Sequence, residues 1–571
     1  MVPNSENLLT LSRVVMILCS LSVIIRCLRS MLRDRYDPET WAFLKVGKQQ
    51  LLPVTHWENL LGRSRGADLQ LEGKDIRRFH AVLRRTEDGA WRLFDVFGRG
   101  GVLVNGSAVT REGLPIRSGD AIRLGGTTLR FLDADEARRE RLDSIRSPVG
   151  KRVSPTLTLL ELTVFQLFLL MQHALSALPE DLPGIALSFA LLILLEWSCF
   201  NAMRVIGRSG FEAETLAFYL TTLGFSVCAA SVPEDTVRQA LIALVSVILF
   251  LLAGVWMRSL KRAEKLRLPA ALLALAMLAA NYLFGTEING AKNWILLGGF
   301  SFQPSELVKV AYVYVGASTL DRLYRRRNLF VFILFSAICV GVLALLGDFG
   351  TALIFFVTFL VISFLRSGSI ATVFLALAGA GMAGMLAVSV KPHIARRFAV
   401  WGHVWEDRFD AGYQQTRAMS AAAAGGLFGK GAGAGWLHQT RMNAASNTDL
   451  VFGILSEELG LIIALCSIAA VLLLAFFAVR SARNGRSSFY AIGACAATSL
   501  MLTQLSLNVF GSMDLLPFTG VPFPFVSKGG SSLLCCWLLL AFIKSADNRK
   551  DASFAVSSGL LPRKVKKEAK A

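Results

Sequence analysis

The sequence predicts a polytopic α-helical membrane protein of about twelve spanning helices plus one N-terminal anchor helix, with a cytoplasmic all-β sandwich domain set between anchor and bundle. Three observations lead there. Across 571 residues, 54% are hydrophobic and only 18% charged, with mean hydropathy +0.52, too apolar for a soluble chain of this length. Apolar runs of spanning length recur from Pro155 onward. Between them and the first apolar run, residues 44–133 switch to the alternating pattern of strands.

The charge balance narrows the class. Sixty Lys plus Arg against 41 Asp plus Glu give +19, but the basic residues sit in short clusters between apolar runs, the arrangement that orients membrane helices rather than one that grips nucleic acid. The nine cysteines fall mostly inside apolar runs without ligand spacing and read as small core residues. Six scattered histidines include no H-x-x-x-H pair, which argues against a zinc site.

In chain order, residues 1–35 form the anchor: an apolar run from Leu8 to Ile25, then Arg26, Arg29, Arg33 and Arg35, with no small-residue cleavage site. The basic flank places its C-terminal end in the cytoplasm. Alternation at 91–96, 102–104, 121–124 and 128–131, with Asn105-Gly106 as a tight-turn pair, makes 44–133 a small all-β domain. A basic linker follows over 134–155. Twelve segments then have spanning length: 156–178, 184–203, 214–231, 236–257, 268–284, 304–320, 328–346, 349–366, 371–390, 449–479, 487–511 and 528–545. Basic residues follow every second one, and Pro179-Glu180-Asp181, Pro233-Glu234-Asp235 and Gly347-Asp348 lie between. This parity puts the loop 392–448 outside and the basic tail 546–571 inside.

That outer loop is polar and glycine-rich, so it belongs at a membrane surface or lining a cavity, where its backbone groups find partners. Upstream, Gln303-Pro304-Ser305-Glu306 starts a helix with proline where the missing N–H costs little, and Glu306 and Lys309 share a face at i,i+3. An ion pair at membrane depth marks a candidate site, with a structural lock between helices as the alternative. The glycines around Lys430 lack the G-K-[ST] ending of a nucleotide loop.

Two resemblances follow from these residues. Leu61-Gly62-Arg63-Ser64, Arg77 to Ala81, Val102 to Gly106 and Ser118 to Gly125 resemble a forkhead-associated (FHA) domain. That likeness implies a sandwich whose apical loops bind phosphothreonine, and hence a phosphoprotein or other cytoplasmic partner. Arg63 matches the phosphate-contacting arginine and His80 the loop-supporting histidine. Arg77 stands in place of the phosphate-binding serine, and Arg99 and Gly100 in place of a threonine-asparagine pair. Arg63, Arg77 and Arg99 thus form an anion site without the neutral groups that fix phosphate geometry.

Gln303 to Lys309, Gly347 to Leu353, Gly412 to Gln414, Gly425 to Gly431, Thr448 to Gly460 and Leu516 to Leu533 resemble the SEDS family of RodA, FtsW and SpoVE over roughly residues 280–545. Helices added before Gln303 resemble its longer, twelve-helix form. The resemblance implies a peptidoglycan glycosyltransferase of cell elongation or division in the cytoplasmic membrane, polymerising lipid II at the outer face with a class B penicillin-binding protein. Lipid II transport and a non-catalytic scaffold are the alternative functions. Matched by position, the family's essential loop aspartate is Asp407. The implied substrate contacts are Lys292, Trp294, Gln303, Ser305, Glu306, Lys309, Asp348, Arg397, Tyr413, Gln414, Thr448, Asp449, Lys528, Ser531 and Ser532. Four positions depart from the pattern: Asn293 for arginine, Arg408 for proline, Asn447 for histidine and Lys528 for tyrosine. The chemistry needs a base for the acceptor hydroxyl and cations for a leaving diphosphate. Asp407 suits the first role, and Lys292, Arg397 and Lys528 are candidates for the second. A divalent cation (Mg²⁺ or Mn²⁺) is the other means, although no aspartate cluster dedicated to one is visible.

Overall fold

The computed structural model describes residues 3–33, 40–47, 50–64, 67–86, 89–96, 101–110, 112–134, 153–205, 210–288, 291–297, 300–320, 326–367, 370–390, 392–438, 447–485, 487–547 and 549. Most of the linker 134–155, most of the tail 546–571, and Arg99 and Gly100 lie outside these residues.

The β domain is a two-sheet sandwich of short strands. Strands β1 (Ala42–Val46), β2 (Gln50–Val54), β7 (Val102–Val104), β8 (Ser107–Ala108), β10 (Ala121–Leu124) and β11 (Thr127–Asp133) form one sheet, in the order β2-β1-β11-β10-β7-β8. The other runs β4-β3-β5-β6-β9, from β3 (Glu58–Gly62), β4 (Leu69–Gln70), β5 (Ala81–Arg85), β6 (Trp91–Asp95) and β9 (Leu114–Ile116). Alternation places Trp91 and Leu93 inside with Leu44, Leu83, Ile122 and Phe131. Asn105 and Gly106 both adopt positive φ, +49° and +85°, and join β7 to β8 as the turn pair predicts.

The remaining chain is helical. Helix α1 (Pro3–Arg33) covers the expected anchor and is longer than its apolar run. Ser154 caps α2 (Pro155–Ser176), accepting from the Leu157 amide, with Pro155 at the first helical position. Then come α3 (Leu182–Val205), α4 (Glu212–Ser231), α5 (Thr236–Trp256), a short α6 (Leu260–Lys265) and α7 (Arg267–Phe284). A small antiparallel sheet occupies the expected loop: β12 (Thr286–Ile288), β13 (Ala291–Leu297) and β14 (Phe300–Phe302). After it run α8 (Pro304–Leu320), α9 (Arg326–Leu345), α10 (Phe349–Ser367), α11 (Ile370–Val390), α12 (Pro392–Val400) and α13 (Tyr413–Gly425). The last four are α14 (Val451–Glu458), α15 (Leu461–Arg483), α16 (Ser488–Ser512) and α17 (Gly530–Ser545).

Every predicted span falls on helix, and among the described residues nine helices are long and apolar enough to cross a membrane. One span is corrected: 449–479 is two helices. Gly460 breaks it at φ +89°, because a Cβ there would stand 2.4 Å from the Leu427 carbonyl oxygen. The loop 392–448 contains α12 and α13. Helix α4 is buried on nearly every side, its polar residues Glu212, Glu214, Thr215, Thr221, Thr222 and Ser226 included.

Contacts between distant helix ends define two poles. At one, Ser30 donates to Glu212, Arg549 pairs with Glu212 at 3.1 Å, Lys544 pairs with Glu214 at 3.1 Å, and Arg480 donates to the Met31 carbonyl. At the other, Arg13 donates to the Lys430 carbonyl, Ser176 to the Ala432 carbonyl, and Lys528 pairs with Asp235. The β domain follows the first pole in sequence, and its His56 hydrogen-bonds the Gly485 carbonyl in the α15–α16 turn.

Candidate functional site: a cavity at the second pole

A cavity of about 1640 Å³ opens between α9, α10 and α11 and the segments 447–449 and 516–532. Its walls are largely apolar, with Ile333, Val340, Phe356 and Val388, while polar groups gather around Asp449 and Lys528.

Each polar group is placed by its local chain. The sheet brings in Trp294 and Asn293, and the Lys292 amide donates to the Leu346 carbonyl at 3.0 Å, stitching β13 to the turn that carries Asp348. One Asp348 oxygen accepts from the Thr351 amide at 3.0 Å and caps α10. Its other oxygen is buried and has no hydrogen bond among the described residues. The segment carrying Thr448 and Asp449 is clamped to the loop before α17. Asn508 donates to the carbonyls of Asp449 (3.1 Å) and Val521 (2.8 Å), Ser527 to the Thr448 carbonyl, and the Lys528 amide to the Asn447 carbonyl at 2.9 Å.

Electrostatics distinguish these carboxylates. Burial pushes the Asp449 carboxyl up to about 6, against the Thr448 hydrogen bond and the Arg397 guanidinium, which both pull it down. Burial also lowers the Arg397 pKa, opposed by the charges of Asp449 and Asp348.

Of the sequence-predicted residues, Trp294, Gln303, Asp348, Arg397, Gln414, Thr448, Asp449, Lys528, Ser531 and Ser532 come together on this one lining. Ser305, Glu306 and Lys309 do not reach it. They lie buried in the first turns of α8, where Lys309 pairs with Glu306 at 2.6 Å and both are essentially inaccessible. The Lys292 side chain is exposed. Asp407 and Tyr413 are half-buried in the turn joining Trp401 to Gln414, two residues that do line the cavity. An Asp407 carboxylate oxygen accepts from the Ala411 amide at 3.4 Å, and its carbonyl accepts from Asp410 and Gly412. Among the described residues no group of three or more His, Cys, Asp or Glu side chains stands ready to hold a metal ion.

The glycine-rich segment after α13 proves to be an anion nest filled by the protein's own glutamates. Glu457 accepts from the Trp436 amide (3.1 Å), the Leu437 amide (3.0 Å) and the Lys430 ammonium (2.8 Å), and Glu458 from the Gly433 amide at 2.9 Å. A Cβ at Gly435 would sit 2.9 Å from Glu457. The firmest constraint is at Gly429, where φ is +77° and a Cβ would stand 2.3 Å from the Glu458 carbonyl oxygen. Sequence reasoning quoted Glu457 and Glu458 within a motif without giving them this role, and it used Asp235 only as part of an acidic loop that sets topology. The excess of backbone donors in 425–437 was the available signal.

In the β domain, the Arg63 amide donates to the Arg77 carbonyl (2.9 Å), bringing two arginine-bearing loops together. His80 accepts from the Arg77 amide at 3.3 Å and so donates through Nε2 to the Gly101 carbonyl at 3.1 Å. Burial holds this imidazole below its ordinary pKa despite that second bond. The loop scaffold is thus present while Arg77 replaces a neutral hydroxyl. Calorimetry is expected to show no salt-resistant preference for a phosphothreonine peptide over its unphosphorylated twin, and a clear preference would overturn this reading.

Fold and cavity together define a multi-pass membrane protein with an appended FHA domain. The FtsW/RodA/SpoVE family, described as cell cycle protein, matches residues 221–552, and the FHA domain family matches 59–125. The chain belongs to the FtsW/RodA/SpoVE family. It is 34% identical over 296 residues to a probable peptidoglycan glycosyltransferase FtsW of Moranella endobia, covering 49% of this chain and 75% of that one. It is 30% identical over 329 residues to the peptidoglycan glycosyltransferase RodA of Mycobacterium bovis, covering 54% and 69%. A solved chain from work on coordination of polymerization and crosslinking by a peptidoglycan synthase complex is 24% identical, with TM-score 0.49, covering 62% and 98%.

Proposed function

We propose that the protein is an inverting peptidoglycan glycosyltransferase that polymerises lipid II at the outer face of the cytoplasmic membrane, working with a class B penicillin-binding protein. The observation that carries this reading is a cavity whose walls are largely apolar and whose lining also carries Asp348, Arg397, Asp449 and Lys528, a combination that suits a lipid with a charged, sugar-bearing head. In the reaction the acceptor hydroxyl gives up its proton and attacks the anomeric carbon of the donor. The bond to the lipid diphosphate breaks, and that diphosphate leaves with the electron pair. Asp407 takes the proton, and Arg397 and Lys528 receive the diphosphate.

The decisive experiment gives lipid II to the purified protein with and without a class B partner. Long glycan strands are expected with the partner present, and their absence in both conditions would overturn the assignment. The buried Glu306, Lys309 and Asp348 also suit a transporter, which would move lipid II across a vesicle membrane without making polymer.

This reading places the second pole outside the cell and the FHA domain, linker and tail in the cytoplasm. Single-cysteine variants in a cysteine-free background test it. An impermeant maleimide is expected to label Leu427→Cys in intact cells and spare Ser107→Cys, both exposed positions. The reverse pattern would invert the topology.

A further inference from the structure

Lys528 has its backbone fixed and its side chain guided from elsewhere. Its amide is held by the Asn447 carbonyl at 2.9 Å, beside Thr448 and Asp449, so its Cα has little freedom. A lysine side chain still has four rotatable bonds with which to wander. What stops it is Asp235, 293 residues earlier in sequence, whose carboxylate meets the ammonium at 2.6 Å.

Asp235 is placed for this task rather than for its usual one. It closes the 3₁₀ turn Pro233–Asp235 and stands at the N-cap of α5, where an aspartate ordinarily accepts a backbone amide of the first turn. Here its side chain makes no capping hydrogen bond and turns to Lys528 instead. Arg238 stands 4.0 Å from the other oxygen. Asp235 itself does not line the cavity, whereas Lys528 does. The pair is partly exposed, 23% for Lys528 and 32% for Asp235, so it contributes little to folding stability.

We propose that Asp235 is a positioning residue that holds the Lys528 ammonium on the lining of the cavity, where it receives the donor's diphosphate; the role of that diphosphate rests on the glycosyltransferase reading above. Two acids, Asp348 and Asp449, share the cavity and repel an anion. A cation held in place is therefore needed beside Arg397. An ammonium has three N–H donors, so one bonded to Asp235 leaves two for phosphate oxygens.

The test is a double-mutant cycle on the full chain in nanodiscs, read out both by lipid II polymerisation with the class B partner and by binding of undecaprenyl diphosphate. Asp235→Asn is expected to lower kcat/KM and diphosphate affinity about 10-fold and Lys528→Met about 100-fold, by analogy with displaced positioning groups. The double variant is expected to match Lys528→Met alone, because the aspartate acts only through the lysine. Asp235→Glu is expected to restore most of the loss, which separates positioning from a folding defect. Losses that multiply in the double variant, or wild-type diphosphate affinity in Asp235→Asn, would overturn the assignment. If the wild-type protein makes no polymer, the glycosyltransferase reading fails, and the binding cycle still decides the role of Asp235.

Discussion

Asp407→Asn is expected to lower lipid II polymerisation by about 100-fold or more, the usual contribution of a general base, while the protein still folds and binds its partner. The structure gives the reason for both halves of this expectation. Asparagine keeps an oxygen that can accept from the Ala411 amide, so the turn from Asp407 to Gly412 survives. It removes the basicity that an acceptor hydroxyl needs. The nearby acids are the controls. Asp410 is held in an exposed ion pair with Arg396 and Glu406 is exposed, so Asp410→Asn and Glu406→Gln are expected to polymerise close to wild type. Asp449 is the serious competitor, because it lines the cavity itself and burial raises its carboxyl to about 6, better matched to a base near neutral pH. Activity that persists in Asp407→Asn and disappears in Asp449→Asn would move the base to the cavity floor.

Lys309→Met is expected to cost about 3–5 kcal/mol of stability, because it strands the Glu306 carboxylate in the bundle interior without its cation. Glu306 is 1% exposed and Lys309 0%, and one Glu306 oxygen already has no hydrogen bond among the described residues. Thermal unfolding in detergent measures the loss. Adding Glu306→Gln is expected to return most of it, since a neutral pair avoids the buried charge. Unfolding of Lys309→Met at the wild-type temperature would mean the pair carries no such burden. Polymerisation by the stable double variant then separates a structural lock from a catalytic role: near-normal activity means the pair only joins α8 to its surroundings.

Hydropathy and alternation are local properties, and what depends on them was legible in the sequence. The spans, the sandwich strands and the Asn105-Gly106 turn each arise from residues within one turn or two strands of one another. The motifs likewise marked part of the cavity, since ten predicted residues from Trp294 to Ser532 share one lining. Tertiary structure alone decided the rest, because it depends on partners far apart in the chain. The break at Gly460 exists because a backbone some thirty residues earlier passes where a side chain would be. The glycine segment takes its shape from Glu457 and Glu458, which satisfy its amides through space. Lys528 is aimed by an aspartate 293 positions away, and Asp449 owes its raised pKa to burial that only the assembled bundle creates. Sequence pattern sets which groups are apolar, charged or turn-forming; the energy of a buried charge depends on what packs around it, and packing is set by the whole chain.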